Sequence, residues 1–329
     1  MTARVLNAAL AVLCAALFGA SLSVGPSPVG VSTALADLMA GNGSTAAVIF
    51  TEIRVPRAML GLAVGASLGL AGAALQGWLR NPLAEPGVVG VSPFAALGAV
   101  IAFYSGWSTA LPLALPLGGI AGALFGVAIL YGLAGRAAGV LTMVLAGTAL
   151  SSLASALTSL ALSLSPNPFA LTEIVFWLLG SLADRSLSHV GLTLPFMIMG
   201  WMLLLSLGKP LDALTLGEAT ARSLGIDLAR LRFRLVLGTA LAVGAAVAVT
   251  GAIGFVGLIV PHLLRPLVGW QPGRLLLPSA LGGAALTVAA DIAVRMPASG
   301  NELKLGVVTA LLGAPFFLAL VLRMRGTVP

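Results

Sequence analysis

The sequence is poor in charge, in cysteine and in histidine, and each shortage removes a class of function. Asp, Glu, Lys and Arg together make up 8% of the 329 residues, and apolar residues reach 59%. An average soluble domain carries roughly 25% charged and 45–50% apolar residues, so a soluble globular protein is excluded. The single cysteine, Cys14, lies inside the first apolar run, and no intrachain disulfide is possible. The two histidines, His189 and His262, are far apart, and no His/Cys/Asp/Glu set has metal-ligand spacing. A resident metal and a haem-ligand role for either histidine are therefore disfavoured, and no cofactor is expected in this chain. A phosphate-binding loop is missing too. That loop needs G-x-x-x-x-G-K-[ST]; here Gly208-Lys209 is followed by Pro210, and Leu203 stands at the first Gly position. Any ATP and Mg would be bound by a separate ATPase subunit, and this chain is read as a non-enzyme.

The net charge of +7 comes from arginines scattered at the ends of apolar runs. They form no continuous basic patch, which excludes nucleic acid as a partner. They fit topology determinants instead.

What the chain has is long apolar runs. Backbone polar groups in lipid must be paired within the protein, and these runs are far too long for barrel strands. The expectation is an all-α polytopic membrane protein, a single domain over 1–329. About ten transmembrane helices are placed at roughly 5–24, 57–79, 88–106, 112–133, 139–163, 189–208, 232–252, 254–267, 275–294 and 304–323. The eighth is short and carries Pro261. Met1 to Ala20 has the outline of a signal peptide, but the chain downstream of it is no mature soluble protein, so it reads as a first span. Residues 31–50 read as surface helix and loop. Pro166 and Pro168 are expected to stop the fifth span, with a short non-spanning helix at 171–181. With the N-terminus inside, twelve Lys and Arg fall on one side and five on the other. That asymmetry puts both termini in the cytoplasm.

The richest stretch is Arg54 to Gly98. Gly61, Gly65, Gly69 and Gly72 recur three or four residues apart, placing small residues on one helix face for close packing. R-V-P-R opens the stretch, L-Q-G closes its span, and R-N-P-L-A-E-P-G-V-V-G-V-S comes next, with Glu85-Pro86-Gly87 turning the chain. This resembles the FecCD family of permeases from type II ABC importers. Further matches are W-x-x-G-S-L at 177–182, L-G-E-x-x-A-x-x-L-G at 216–225, G-F-V-G-L-I-V-P-H-L-L-R at 254–265 and E-L-K-L-G-V-V-T-A-L-L-G-A-P-F-F at 302–317. Pro93-Phe94 departs from the small or polar pair of many members and is expected to bear on the pathway.

The resemblance implies a BtuC-like permease fold in the bacterial inner membrane. It implies a homodimer with two ATP-binding subunits and a periplasmic binding protein, importing a ferric siderophore or haem, alternatively vitamin B12. It makes Arg54, Arg57 and Arg295 the docking groups for glutamates of the binding protein. Arginine suits the task because it is always charged and grips carboxylates bidentately. Reversing all three to Glu is expected to abolish uptake and leave assembly intact. The connection at about 209–230 becomes the ATPase-coupling loop, with Leu214, Leu216, Gly217, Glu218, Ala221, Arg222, Leu224 and Gly225 at the contact. From the residues alone, 211–221 reads as one short helix, with a break at Gly225 and Asp227 capping the next helix.

Thr148, Ser151, Ser155 and Ser159 lie on a hydroxyl stripe along the fifth span. Hydroxyls there serve a translocation path or glue between helices, and both readings stand. An ion-coupled secondary transporter would place ionisable residues near mid-membrane. None falls near the centre of any expected span. An intramembrane enzyme is disfavoured because no acid–base or nucleophile set is present.

Overall fold

Each long apolar run folds as a helix, the form that pairs every backbone N–H and C=O within its own segment. The computed structural model describes residues 3–325 except 26, 28, 108–110, 112, 136–138, 166–167 and 297–301. Pro166 and Arg136 of the orientation count lie outside the described residues.

In chain order the helices are α1 (Ala3–Ser23), α2 (Val31–Met39), α3 (Thr45–Val48), α4 (Val55–Leu79), α5 (Val91–Tyr104), α6 (Ala114–Ala134), α7 (Val140–Ser163) and α8 (Pro168–Leu178). There follow α9 (Leu187–Leu205), α10 (Gly208–Leu214), α11 (Glu218–Ser223), α12 (Leu228–Thr250), α13 (Val256–Leu264), α14 (Pro272–Arg295) and α15 (Leu305–Arg325). Helices lie over all ten expected spans. Seven of these segments are long and apolar enough to cross a bilayer, and three are shorter: Val91–Tyr104, Val256–Val268 and Leu305–Leu320.

Three boundaries differ from the expectation. The second span reaches back to Thr45, because α3 runs through a π-helical turn at Ile49–Arg54 directly into α4. The short helix after the fifth span begins at Pro168 rather than 171. Proline suits a first helical turn, whose N–H groups have no partner. The 211–221 segment is two helices, α10 and α11, because Gly217 adopts φ +100° between them. Only glycine takes that conformation without strain.

α4 and α12 form the centre of the bundle, buried around most of their circumference. A helix apolar on every side belongs there, and their Gly and Ala residues let neighbours approach closely. The glycine stripe on α4 does what its spacing predicts. A Cβ on Gly65 would lie 2.2 Å from the carbonyl oxygen of Gly283 in α14, and one on Gly69 would lie 2.1 Å from that of Ser279. Gly72 meets α13 in the same way, backbone against backbone at Gly257. α1 packs on α14, where the Cys14 thiol donates to Leu281 O at 3.2 Å.

Candidate transport sites

Three places carry the candidate sites: the end of the bundle where α4 starts, the opposite end at α10–α11, and a cavity between them; a further cavity of about 450 Å3 is lined by Glu173, Asp184, Arg185, His189 and Lys304.

At the first end, Arg54, Arg57 and Arg295 line one shallow cavity of about 110 Å3. All three are buried and already bonded inside the chain. Arg54 donates to the carbonyls of Leu22 and Val29 at 2.9 Å and of Ser27 at 2.8 Å, closing the exit of α1. Arg57 forms a forked pair with Asp291 at 3.0 Å and with Glu302 at 2.9 Å. Arg295 pairs with the other Asp291 oxygen at 3.0 Å and donates to Ser21 O, Ser21 Oγ and Val24 O. The sequence places two of these arginines three residues apart. The fold adds the third and two carboxylates. They are therefore structural ties as well as candidate docking groups. The expectation that all three can be reversed while assembly survives is corrected: reversal would bury anions beside Asp291 at 57 and 295 and against three carbonyl oxygens at 54.

At the other end, α10 and α11 make a compact helical hairpin. Leu211, Leu214 and Ala221 are fully buried beneath it. The Asp212 carboxylate accepts from Gly273 N at 2.7 Å and Gln271 Nε2 at 2.6 Å, fixing α10 to the start of α14. Glu218 accepts from Arg222 on its own helix and from Arg232 on α12, each at 3.3 Å. Leu216 and Leu224 project from the hairpin, 64% and 60% exposed. Gly225 takes φ +82° and turns the chain into α12. Asp227 caps that helix as its sequence predicts, accepting from Arg230 N at 3.0 Å. That backbone hydrogen bond holds the Asp227 carboxyl below its usual range.

Between the two ends lies a cavity of about 440 Å3. Two backbone segments without regular helix wall it. One follows Leu79 through the 3-10 turn Pro86–Val89, and the other joins Thr250 to Val256. Irregular backbone at membrane depth persists only where it faces a cavity or protein. Ser155, Thr158 and Ser159 of α7 line the same space. The rest of the hydroxyl stripe divides. Ser151 Oγ donates to Gly87 O at 2.8 Å, tying α7 to the irregular segment, and Thr148 bonds back to its own helix at Val144 O and is exposed. Within the stripe, then, Ser155 and Ser159 face the cavity while Ser151 ties two segments together.

Residues 13–323 match the family model described as the FecCD transport family. The chain belongs to the FecCD family. It is 42% identical to the vitamin B12 import system permease BtuC of Klebsiella pneumoniae, across 84% of this chain and 82% of that one. It is 39% identical to the Fe(3+) dicitrate transport permease FecD of Escherichia coli, across 93% and 94%. A solved metal-chelate type ABC transporter in an inward-facing conformation superposes with TM-score 0.84 at 33% identity, covering 97% and 99%. The chain is thus an ABC-importer permease of the FecCD type.

Several FecCD motif residues acquire physical roles that their spacing does not announce. Pro261 sits inside α13 and lacks the N–H that would bond Gly257 O, four residues back. Gln76, the centre of L-Q-G, supplies the missing donor: Gln76 Nε2 reaches Gly257 O at 3.1 Å, and its oxygen accepts from Arg265. The W-x-x-G-S-L motif locks the end of α8 to the C-terminal end of α12 through Ser181 N to Thr250 O at 2.8 Å. Glu302 of the last motif holds Arg57. Phe94 does not line the cavity. It is buried, with its ring over Gly126 of α6, while Pro93 and Ser92 line the cavity. His189 caps α9 with Ser186 at 2.9 Å, and His262 packs edge-to-face on Phe316. No group of three or more His, Cys, Asp or Glu poised for a metal occurs among the described residues.

Proposed function

We propose that this chain is the permease subunit that moves an iron chelate, a ferric siderophore or haem, from periplasm to cytoplasm. The observation that carries the reading is the central cavity, walled by two unwound segments and hydroxyls, lying between a charged cavity at one end and a rigid hairpin at the other. Two copies form a homodimer around the path, with both termini and the hairpin in the cytoplasm of a bacterial inner membrane. The end bearing Arg54, Arg57 and Arg295 receives a periplasmic binding protein. A carboxylate entering its cavity finds three guanidinium groups set against two internal carboxylates, a net positive site. Two ATPase subunits grip the hairpin through Leu216, Gly217, Glu218, Arg222, Leu224 and Gly225, with Leu216 and Leu224 as the exposed anchors; Leu214 and Ala221, expected at the contact, are buried and instead seat the hairpin on the core. Their closure tilts the helices and alternates access. The hairpin is suited to this because it is tied to both α12 and α14 and so transmits displacement without yielding.

A second reading, import of vitamin B12, draws support from the relatives named for that cargo, such as the Klebsiella permease at 42% identity. One experiment tests both. The chain is co-purified with the ATPase encoded beside it and reconstituted in lipid nanodiscs. The neighbouring binding protein is then added with a ferric siderophore, haem or cobalamin. Stimulated ATP hydrolysis with one loaded form is the expected result and names the cargo. Activity indifferent to every loaded form would overturn the importer reading.

A further inference from the structure

The sequence places no ionisable residue near the centre of a span, yet the fold brings one to the central cavity. Glu85 belongs to the irregular segment between α4 and α5, which the sequence shows only as a turn. Its depth follows from Ser151, whose hydroxyl holds Gly87 O at 2.8 Å. Ser151 lies about 16 Å along α7 from Val140, on a helix of about 35 Å. The segment therefore re-enters the bundle to roughly half depth. Glu85 lines the 440 Å3 cavity there beside Ser155 and Ser159.

Three facts separate Glu85 from the structural carboxylates of this chain. Asp291, Glu302 and Glu218 each pair with arginine, and Asp212 accepts a backbone N–H. Glu85 has neither an ion pair nor a hydrogen bond among the described residues. No Lys, Arg or His is among the described residues lining its cavity. Ionisable groups at membrane depth are costly, and they mark pathways when they face a cavity rather than a partner. An acceptor-only group amid hydroxyls, with no cation near, attracts N–H and O–H donors and repels anions.

We propose that Glu85 is a cargo-contacting residue: its carboxylate accepts hydrogen bonds from amide, hydroxyl or ammonium donors on a bulky metal chelate, and the cavity passes neutral or cationic chelates in preference to polyanionic ones. This rests on the permease reading above and narrows its cargo.

The test uses the full transporter in proteoliposomes, with its ATPase and binding protein. The chelate delivered is identified by mass spectrometry, and uptake is compared for wild type, Glu85→Gln and Glu85→Asp. The expected result is a neutral or cationic chelate, uptake at least tenfold lower in Glu85→Gln, and partial recovery in Glu85→Asp, all variants still co-purifying with the ATPase. Glu85→Gln uptake within twofold of wild type, or delivery of a polyanionic chelate by wild type, overturns the proposal. Should the charge change prevent assembly, Glu85→Cys in a Cys14→Ser background is treated with a water-soluble thiol reagent. Labelling at 85, slowed at least fivefold while cargo is occluded, is expected; an unreactive thiol, or one that cargo does not protect, overturns it. A wild type that imports no chelate at all refutes the permease reading itself, a result distinct from any effect confined to position 85.

Discussion

Asp291 balances two buried arginines at once. Its side chain is 2% exposed, as is that of Arg295. Breaking a buried ion pair from one side leaves an uncompensated charge and costs about 3–5 kcal/mol. Asp291→Asn is therefore expected to lower the unfolding midpoint in detergent sharply and to reduce the monodisperse fraction. Glu302 is 31% exposed, so Glu302→Gln is expected to cost about 1 kcal/mol or less. Equal losses in the two variants would refute the hub assigned to Asp291. Gln76 offers a second, more specific test. Gln76→Leu strips the donor from Gly257 O, for a cost of about 1–3 kcal/mol. In a Pro261→Ala background the helix regains its own N–H at that carbonyl, and the same substitution is expected to cost about 1 kcal/mol less. A double-mutant cycle on thermal unfolding measures the difference. The sequence shows Gln76 and Pro261 only as separated motif letters. Their relation exists only once α13 lies on Gly72, so no local pattern could reveal it.

Among the elements, the α10–α11 hairpin was legible as a polar interruption between apolar runs, with its cap at Asp227 and its break at Gly225. Its division into two helices was not, because the conformation of Gly217 is set by anchoring Leu214 and Ala221 on the same core. Leu216 and Leu224 are the large apolar side chains that the hairpin leaves in solvent. Leu216→Asp with Leu224→Asp is expected to weaken ATPase-subunit binding at least tenfold in pull-down titrations, while the midpoint of the permease alone moves little. Retained binding would remove the hairpin from the ATPase contact. On α4 the periodic glycines announced a close helix contact correctly, since a three-to-four residue spacing fixes one face. Which helices fill it, α14 and then α13, depends on the order of packing around the centre.

At the scale of the whole molecule, orientation remains the property with the most direct measurement. In a Cys14→Ser background, a cysteine at Leu303 is expected to react with an impermeant thiol reagent from the periplasm of intact cells, and one at Leu216 only after permeabilisation. The reverse pattern would invert the assignment of docking and coupling ends. The sequence by itself determined the membrane class, the ten helical segments and the absence of a nucleotide loop, because these rest on composition, apolar length and short contiguous motifs. Only the tertiary structure decided that Arg57 and Arg295 are ties held by Asp291 and Glu302 and Arg54 one held by backbone carbonyls, that Gln76 completes a proline-broken helix, and that Glu85 stands in the central cavity. Each of these depends on groups far apart in the chain meeting where water is scarce, and there the partner, not the residue type, sets what a polar group does.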